Sequence, residues 1–381
     1  MIYLDYAATT PLDPRVLDAM MPYLRDSFGN PSSVHRDGQR AEAALDTARE
    51  TIASVLNCRA EEIIFTSCGS ESDNLALRGV MLAAREKKRP WLLVSRAEHH
   101  AVSKTAEQLE RYFNVDVEWL PVDAHGRVTP DAMRRAVCDG TALASVMLAN
   151  NEIGTLNPVA ELAAICRTRG ILFHTDAVQA AAYLDVDVER LGVELLSLGA
   201  HKFYGPKGVG ALYVRQGTDL VPHLTGGGQE SGLRAGTQNV AYIVGFARAL
   251  QLAQEERAAR VAHVQPLRDQ IIGRVLEAIP DSQLTGHPEQ RLPNHASFVF
   301  KDVDGNLLLQ LLDAAGFACS SGSACKTGNP EPSEAITALG LPRAWSLGSL
   351  RVTLGKDSTP EQVDSFLLFL PSLVEKARTL K

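Results

Sequence analysis

Residues 194–208 read ELLSLGAHKFYGPKG, an apolar run that stops at a loop of small residues carrying Lys202. The run has the length and composition of a buried β-strand, and glycine and proline fence the loop that follows. Similar short apolar runs alternate with amphipathic helical patterns over the first two thirds of the chain. This alternation predicts an α/β fold built on a mainly parallel sheet between helices.

The predicted elements fall into two regions. We expect one long helix at Val240–Arg260, followed by a smaller α+β region with helices at Asp304–Ala315 and Pro360–Ala377. The domains we predict are 13–257 for the large one, and 258–381 together with 1–12 for the small one. The predicted strands are Glu62–Thr66, Trp91–Ser95, Leu143–Leu148, Ile171–Thr175, Glu194–Leu198, Gly210–Val214, Ser297–Phe300 and Ser349–Thr353.

The composition is that of an ordinary globular protein of 381 residues, 45% hydrophobic and 22% charged, with a net charge of −7. Acidic and basic residues are mixed along the chain, which argues against nucleic-acid and membrane partners. The six cysteines have neither disulfide nor zinc-ligand spacing, so we expect no metal. With no signal-peptide or transmembrane pattern, we expect a cytoplasmic protein.

Polar residues follow the predicted strands, at the edge where open α/β sheets bind ligands. After the first strand, residues 66–74 read TSCGSESDN, a turn of small residues that leads into a helix near Ser70. Backbone N–H groups and a hydroxyl at a helix N-terminus suit a phosphate. Taken alone, the same stretch is more often a serine-capped helix. Neither of the common nucleotide-binding glycine motifs is present.

Two further strand ends carry charged groups. Asp176 follows the apolar strand at 171–175, where a carboxylate can be a metal ligand, a helix cap or the partner of a pyridinium nitrogen. Lys202 follows the strand at 194–198, in a turn that suits a lysine held for Schiff-base chemistry. Taken singly, a helix cap and a surface lysine are the commoner interpretations, but a lysine about 26 residues after Asp176 is harder to dismiss, and enzymes that use pyridoxal phosphate (PLP) need both groups.

With these residues in view, the chain resembles the cysteine desulfurases, specifically the group with a long catalytic loop. These are class-V aminotransferase-like enzymes of PLP fold type I. The resemblance extends from Tyr3 to the final helix. The motifs that carry it are AHK with YGPKG at 200–208, SSGSAC at 320–325, NNEIG at 150–154 and GGG with RAGT at 226–237.

The resemblance implies PLP as cofactor and assigns roles around its ring. Lys202 would carry the cofactor as a Schiff base and later move protons between substrate carbons. Asp176 would pair with the pyridinium nitrogen, and Gln179 would bond the phenolic oxygen. His99 would lie over the ring face and act as an acid or base.

The resemblance also implies a phosphate site and a substrate site. Asn151, which also contacts the cofactor, and Arg351 would grip the carboxylate of L-cysteine, and His35 belongs to the same active-site region. Thr237 would reach the phosphate from the other subunit of a homodimer. The remaining phosphate ligands would be Gly69, Ser70 and His201.

Cys325 distinguishes this family from its relatives. It lies in a stretch of small and turn-forming residues at 318–333, which we expect to be mobile, and a thiolate beside Lys326 is a nucleophile. The resemblance implies that Cys325 attacks the substrate sulfur, giving L-alanine and a persulfide. The persulfide would serve acceptor proteins, either an iron–sulfur scaffold or tRNA-thiolation proteins.

Two departures from the family pattern bear on these expectations. Gly199 stands where the family usually has a serine, which removes one hydroxyl from the expected phosphate site. The chain stops at Lys381 without the C-terminal segment that docks the scaffold in housekeeping members, so we expect that partnership to be weakened.

Three rival functions remain open at this point. Another PLP reaction is the nearest, either selenocysteine lysis or transamination, although a transaminase has no need of Cys325. The third is a subunit that binds partners without catalysis, for which Lys202, Asp176, His99 and Cys325 together would have no use.

Overall fold

The computed structural model describes residues 1–86, 90–324 and 331–380. Cys325 lies outside these ranges. The strands are β1 (Ile2–Tyr3), β2 (Ile63–Thr66), β3 (Trp91–Ser95), β4 (Asp116–Leu120), β5 (Thr141–Ser145), β6 (Leu172–Asp176), β7 (Leu195–Gly199), β8 (Gly210–Val214), β9 (Ser282–Leu284), β10 (His295–Phe300), β11 (Phe317–Ala318), β12 (Ser323–Ala324), β13 (Glu331–Pro332) and β14 (Ser349–Thr353).

The helices alternate with these strands through the first half of the chain. They are α1 (Pro14–Arg25), α2 (Arg36–Leu56), α3 (Gly69–Glu86), α4 (His100–Phe113), α5 (Pro130–Ala136), α6 (Val159–Arg167), α7 (Val188–Leu191), α8 (Val240–Glu255), α9 (Arg257–Ala278), α10 (Gly305–Ala314), α11 (Glu334–Ala338), α12 (Arg343–Ser346) and α13 (Pro360–Thr379). Short 3₁₀ helices span Ala60–Glu62, Ala200–Lys202 and Glu230–Gly232.

A seven-stranded sheet in the order β2-β8-β7-β6-β5-β3-β4 forms the centre of the molecule. Strand β8 is antiparallel to both of its neighbours, and the other adjacent pairs are parallel. Every strand except β8 therefore ends at the same edge, so the polar residues that follow these strands meet there. The predicted α/β fold with a mainly parallel sheet is confirmed.

Helices cover both faces of this sheet because each face is apolar. On one face, Leu77 of α3 and Leu109 of α4 pack with Leu92 of β3 in one buried cluster. On the other face, Ile52 of α2 and Phe246 of α8 belong to a larger cluster that continues into the C-terminal region. Burying both faces holds the strand ends, and the side chains they carry, in fixed positions.

The C-terminal region has its own antiparallel sheet, in the order β14-β10-β9. The N-terminal segment joins this region, because β1 pairs in parallel with β11 and Asp5 pairs with Thr353 of β14. These pairings support our proposed assignment of 1–12 to the small domain. The division between 13–257 and 258–381 is likewise a proposal, supported by the junction of α8 and α9.

The prediction of one helix at Val240–Arg260 is wrong. Helix α8 ends at Glu255, and α9 begins at Arg257 and runs to Ala278. Between them, Glu256 leaves helical geometry with φ −93° and ψ 1°. Its carboxylate accepts hydrogen bonds from Arg15 at 2.5 Å and from Arg260 at 2.9 Å. No glycine or proline lies between residues 250 and 260, so the helical pattern around Glu256 gives no sign of the break.

Within the described ranges, no helix combines the length and the apolar character needed to cross a membrane.

Candidate active site

A cavity of about 350 Å³ opens at the edge of the sheet where the parallel strands end. Most of the predicted site residues contribute to its wall. They are Gly69, Ser70, His99, Asn151, Asp176, Gln179, His201, Lys202 and Arg351. The structure thus brings together, in one cavity, residues that the sequence spreads over nearly three hundred positions.

Lys202 projects from the 3₁₀ turn directly after β7. Its Nζ donates hydrogen bonds to the carbonyl oxygens of Ala7 at 2.6 Å and Ala8 at 2.8 Å. Burial, together with the nearby charge of Arg351, lowers the pKa of Lys202 to about 8. A substantial fraction of the amine is therefore neutral at mildly alkaline pH. The neutral amine is the form that attacks a carbonyl carbon.

Two buried carboxyl groups lie at the floor of the cavity. Asp176 accepts a hydrogen bond from the Val178 amide at 2.9 Å, and burial raises its pKa while His99 and Lys202 oppose the rise. Burial and the neighbouring Asp176 raise the pKa of Asp73 well above its ordinary value. Because His99 and Lys202 favour its ionised form, Asp176 is the better placed of the two carboxyl groups to pair with a cationic ring nitrogen.

His99 caps the N-terminus of helix α4 and lines the cavity. Its Nδ1 accepts a hydrogen bond from the Ala101 amide at 3.1 Å, so the neutral ring carries its proton on Nε2. Burial lowers the pKa of His99, although Asp176 opposes the shift. A neutral imidazole at this place presents an N–H donor to the cavity and can exchange that proton with a substrate.

The other end of the cavity carries groups that can hold an anion. Helix α3 begins here with Gly69 and Ser70, and its free amides suit a phosphate. A Cβ on Gly69 would lie 2.6 Å from the Val178 side chain, so this close packing requires glycine. His201 bonds Thr9 Oγ1 at 3.1 Å, and burial lowers its pKa to about 4. At neutral pH, His201 therefore contributes a hydrogen bond rather than a charge.

Arg351 supplies the cation at the remaining wall of the cavity. The Nη1 group donates to the backbone carbonyl of Asn151 at 2.9 Å, and Nη2 donates to Asp5 at 2.8 Å. Nε is buried and has no hydrogen-bond partner among the described residues. A buried guanidinium with an unused N–H is suited to a ligand carboxylate.

Three predicted site residues are not placed in this cavity. Thr237 is exposed on its own chain. His35 is also exposed and accepts a hydrogen bond from the Gly38 amide at 3.3 Å, which caps helix α2. The position of Cys325 lies outside the described residues. The roles of these three, like those of the residues in the cavity, stay predictions.

Some residues of the site were missed from the sequence. Asp73 and Cys68 line the cavity, and Asp5 holds Arg351. The signal for Asp73 was available, since it lies one helical turn after Gly69 and so shares its face of α3. Gln179, which we expect to bond the phenolic oxygen of the cofactor, lines the cavity, and its side-chain amide donates to the Ala7 carbonyl at 2.8 Å.

Known proteins similar to this chain point to one family. The aminotransferase class-V family model matches residues 2–366. Cysteine desulfurase IscS from Dictyoglomus turgidum is 45% identical over 379 residues, which is 100% of this chain and 96% of that protein. The protein of the same name from Methanosarcina thermophila is also 45% identical, covering 100% and 93%.

The chain belongs to the cysteine desulfurases of the aminotransferase class-V family. Solved structures agree with this placement of the desulfurase. A NifS-like protein superimposes with a TM-score of 0.92 at 36% identity, covering 98% of this chain and 99% of the other. A structure described as SspA in complex with cysteine has a TM-score of 0.81 at 34% identity, covering 94% and 100%.

The enzyme depends on PLP, and the cavity of this desulfurase fits that cofactor. The start of α3 at Gly69 would hold the phosphate. Asp176 would supply the buried carboxylate for the ring nitrogen, and Lys202 would supply the amine for the aldehyde. Among the described residues, no group of three or more His, Cys, Asp and Glu side chains is arranged to hold a metal ion.

The glycine at position 199 gives a direct test of the phosphate end. A Cβ at Gly199 would lie 3.4 Å from the amide nitrogen of Gly69, an ordinary contact, so a serine fits beside the anion site. We expect Gly199→Ser to tighten PLP binding to the cofactor-free desulfurase about fivefold, because one added hydrogen bond contributes about 1 kcal/mol. Gly199→Ala adds the carbon without the hydroxyl and should stay within about twofold of the parent. Equal affinities for the two variants, measured by equilibrium dialysis, would contradict this assignment of the phosphate site.

Proposed function

We propose that this enzyme converts L-cysteine to L-alanine with Lys202, Asp176, His99 and Arg351 as its working side chains, and passes the sulfur through Cys325. The observation that carries this proposal is the single cavity lined by Lys202, Asp176 and Arg351. An amine, an acid and a carboxylate-binding guanidinium in one cavity are what an amino-acid substrate of a PLP enzyme requires. The neighbour described as a complex with cysteine supports the choice of substrate.

Each side chain has a definite task in this proposal. PLP, when bound, supplies an electron sink for the charge that develops at the substrate α-carbon. Arg351 binds the carboxylate of L-cysteine and so orients the substrate. Lys202 removes the α-proton, and its pKa of about 8 keeps a useful fraction of the amine neutral. Asp176 keeps the ring nitrogen protonated, and His99 holds an exchangeable proton near the substrate thiol.

The sulfur step balances without an added oxidant. The Cys325 thiolate forms an S–S bond with the substrate sulfur, the C–S bond breaks, and the carbon that loses sulfur takes up a proton. Carbon is reduced as sulfur is oxidised, so the products are L-alanine and a persulfide on Cys325. The resemblance to desulfurases with a long catalytic loop supports this role for Cys325.

Product analysis tests the reaction directly. With L-cysteine and dithiothreitol, the PLP-loaded enzyme should release L-alanine and sulfide in equal amounts, because each persulfide formed accompanies one alanine. A keto acid formed without sulfide would instead indicate the rival transamination. Amino-acid analysis and a colorimetric sulfide assay on the same sample would make the comparison.

We also propose that the enzyme is a homodimer in the cytoplasm, with Thr237 completing the phosphate site of the other subunit. The exposure of Thr237 on its own chain, outside the cavity, supports this arrangement. The proposed acceptors of the sulfur are an iron–sulfur scaffold or tRNA-thiolation proteins.

Hybrid dimers test the shared site. Lys202→Met and Thr237→Ala should each be impaired as homodimers at limiting PLP. A mixed dimer has one cavity with neither substitution, because the intact lysine and the intact threonine come from different chains. Mixing the two variants after mild dissociation should therefore restore up to about half of the parental activity per dimer. No recovery in verified hybrids would show that Thr237 acts within its own chain.

A further inference from the structure

Asp5 lies behind Arg351 and contacts two elements of the site at once. Its Oδ1 accepts from Arg351 Nη2 at 2.8 Å, and its Oδ2 accepts from the Ser320 hydroxyl at 2.8 Å. The two charged side chains of the ion pair are largely buried, with 10% and 16% of their surface exposed. Arg351 lines the cavity, whereas Asp5 does not.

The backbone around Asp5 is fixed by several pairings. Asp5 pairs with Thr353, two residues beyond Arg351 on β14, and the Thr353 amide donates to the Leu4 carbonyl at 2.8 Å. The Tyr3 hydroxyl donates to the Asp5 carbonyl at 3.0 Å. The backbone of Asp5 is therefore held in place, and the residue is a fixed part of the structure behind Arg351.

Ser320 is tied to the same strand. Its amide donates to the Arg351 carbonyl at 3.3 Å, and the Arg351 amide donates to the Ser320 carbonyl at 2.7 Å. The hydroxyl of Ser320 thus reaches Asp5 from a backbone that is itself paired with Arg351. The Asp5 carboxylate is oriented from both sides.

The guanidinium of Arg351 is consequently fixed at two of its three nitrogens. Asp5 holds Nη2 and the Asn151 carbonyl holds Nη1, which sets the plane of the rigid fork. The buried Nε has no partner among the described residues. A buried N–H without an acceptor is costly unless a ligand satisfies it.

We infer that Asp5 is a positioning residue for the substrate, because it fixes the orientation in which the guanidinium of Arg351 lines the cavity and can meet a carboxylate there. The inference rests on the proposed function, in which Arg351 grips the carboxylate of the amino acid. It assigns to the N-terminal segment a part in selecting amino acids over simple amines.

A pair of ligands that differ only in the carboxylate isolates this effect. L-alanine and ethylamine both offer an amine, and neither carries sulfur. Their affinities for the PLP-loaded enzyme can be measured from the change in the cofactor's absorption, without turnover. The ratio of the two dissociation constants therefore measures how much the ligand's carboxylate contributes to its affinity.

We expect Asp5→Ala to reduce the preference for L-alanine over ethylamine about tenfold, which corresponds to about 1.4 kcal/mol, while ethylamine binding stays within about twofold. Asp5→Asn retains an oxygen acceptor in a side chain of the same shape and should lose less. Ser320→Ala removes the other partner of Asp5 but leaves the contact with Arg351, so it should lower the preference less than Asp5→Ala does.

The outcomes separate this inference from the proposed function. If Arg351→Lys lowers the preference but Asp5→Ala and Asp5→Asn do not, Asp5 has no positioning role and the proposed grip stands. If Arg351→Lys leaves the preference unchanged, the proposed grip fails and the inference fails with it. Equal losses of L-alanine and ethylamine binding in the Asp5 variants would show a general structural role and overturn the inference. Should Asp5→Ala fail to fold, the ratio measured on Asp5→Asn decides.

Discussion

Cys325→Ala should lower the production of L-alanine and sulfide by about three orders of magnitude or more, because an alanine methyl cannot attack sulfur. The steps before sulfur transfer need only Lys202, Asp176 and Arg351. PLP binding should therefore be unchanged, and the cofactor's absorption should still respond to added L-cysteine. Stopped-flow absorbance and product assays on one preparation would separate binding from transfer.

Cys319 supplies the matched control for this experiment. It directly follows β11, packs against the hydrophobic core, and has its thiol pKa raised by burial. Such a thiol is a poor nucleophile at neutral pH, so Cys319→Ala should retain most of the activity. Parental turnover in Cys325→Ala would refute the proposed sulfur transfer. Loss of activity in the Cys319 variant alone would identify Cys319 as the acceptor.

Lys202→Met should abolish covalent attachment of PLP and lower turnover by about three orders of magnitude, because methionine keeps the shape but has no amine. Borohydride reduction followed by peptide mass spectrometry should find the cofactor on Lys202 in the parent and on no lysine in the variant. Lys207→Met alters an exposed lysine of the same turn and should behave like the parent. Reduced cofactor found on another lysine of Lys202→Met would contradict the assignment.

The same variant has a second, independent signature in the cofactor-free protein. The Lys202 amine has a pKa of about 8 in the folded state, below its ordinary value of 10.5. Between these values the unfolded chain binds more protons, so the stability of the parent rises with pH across this window. At pH 7, the free energy of unfolding of Lys202→Met should exceed that of the parent by up to about 3 kcal/mol, so the variant should unfold at a higher urea concentration. This advantage should fade as the pH approaches 10.5.

The sequence was most informative where local pattern decides local structure. The bounds of β3, β8 and β14 were predicted correctly, and β5 was found with shifted ends, because these strands are apolar and mostly buried. Strand β4 was missed because it is an edge strand whose polar and apolar residues alternate, unlike the continuous runs of a buried parallel strand. The break at Glu256 was missed because no glycine or proline marks it between residues 250 and 260.

The site residues also divide into those that a local sequence pattern reveals and those that it does not. Asp176 ends the apolar strand β6 and Lys202 lies in the turn after the apolar strand β7, so their shared edge could be predicted from the strand pattern. Asp5 could not be found in this way, since its partner Arg351 lies 346 residues further along the chain. No local pattern connects two residues at such a separation, and only the folded chain shows that they meet.

The N-terminal segment has a consequence for the order of assembly. Its carbonyls hold Lys202, while its own strand pairing depends on β11 and on Thr353. During synthesis the ribosome makes this segment first, but its partners emerge only after most of the chain has been translated. The cavity wall is therefore complete only once the chain has been made to Thr353. Tight capture of PLP accordingly belongs to the end of biosynthesis, after the large sheet has formed.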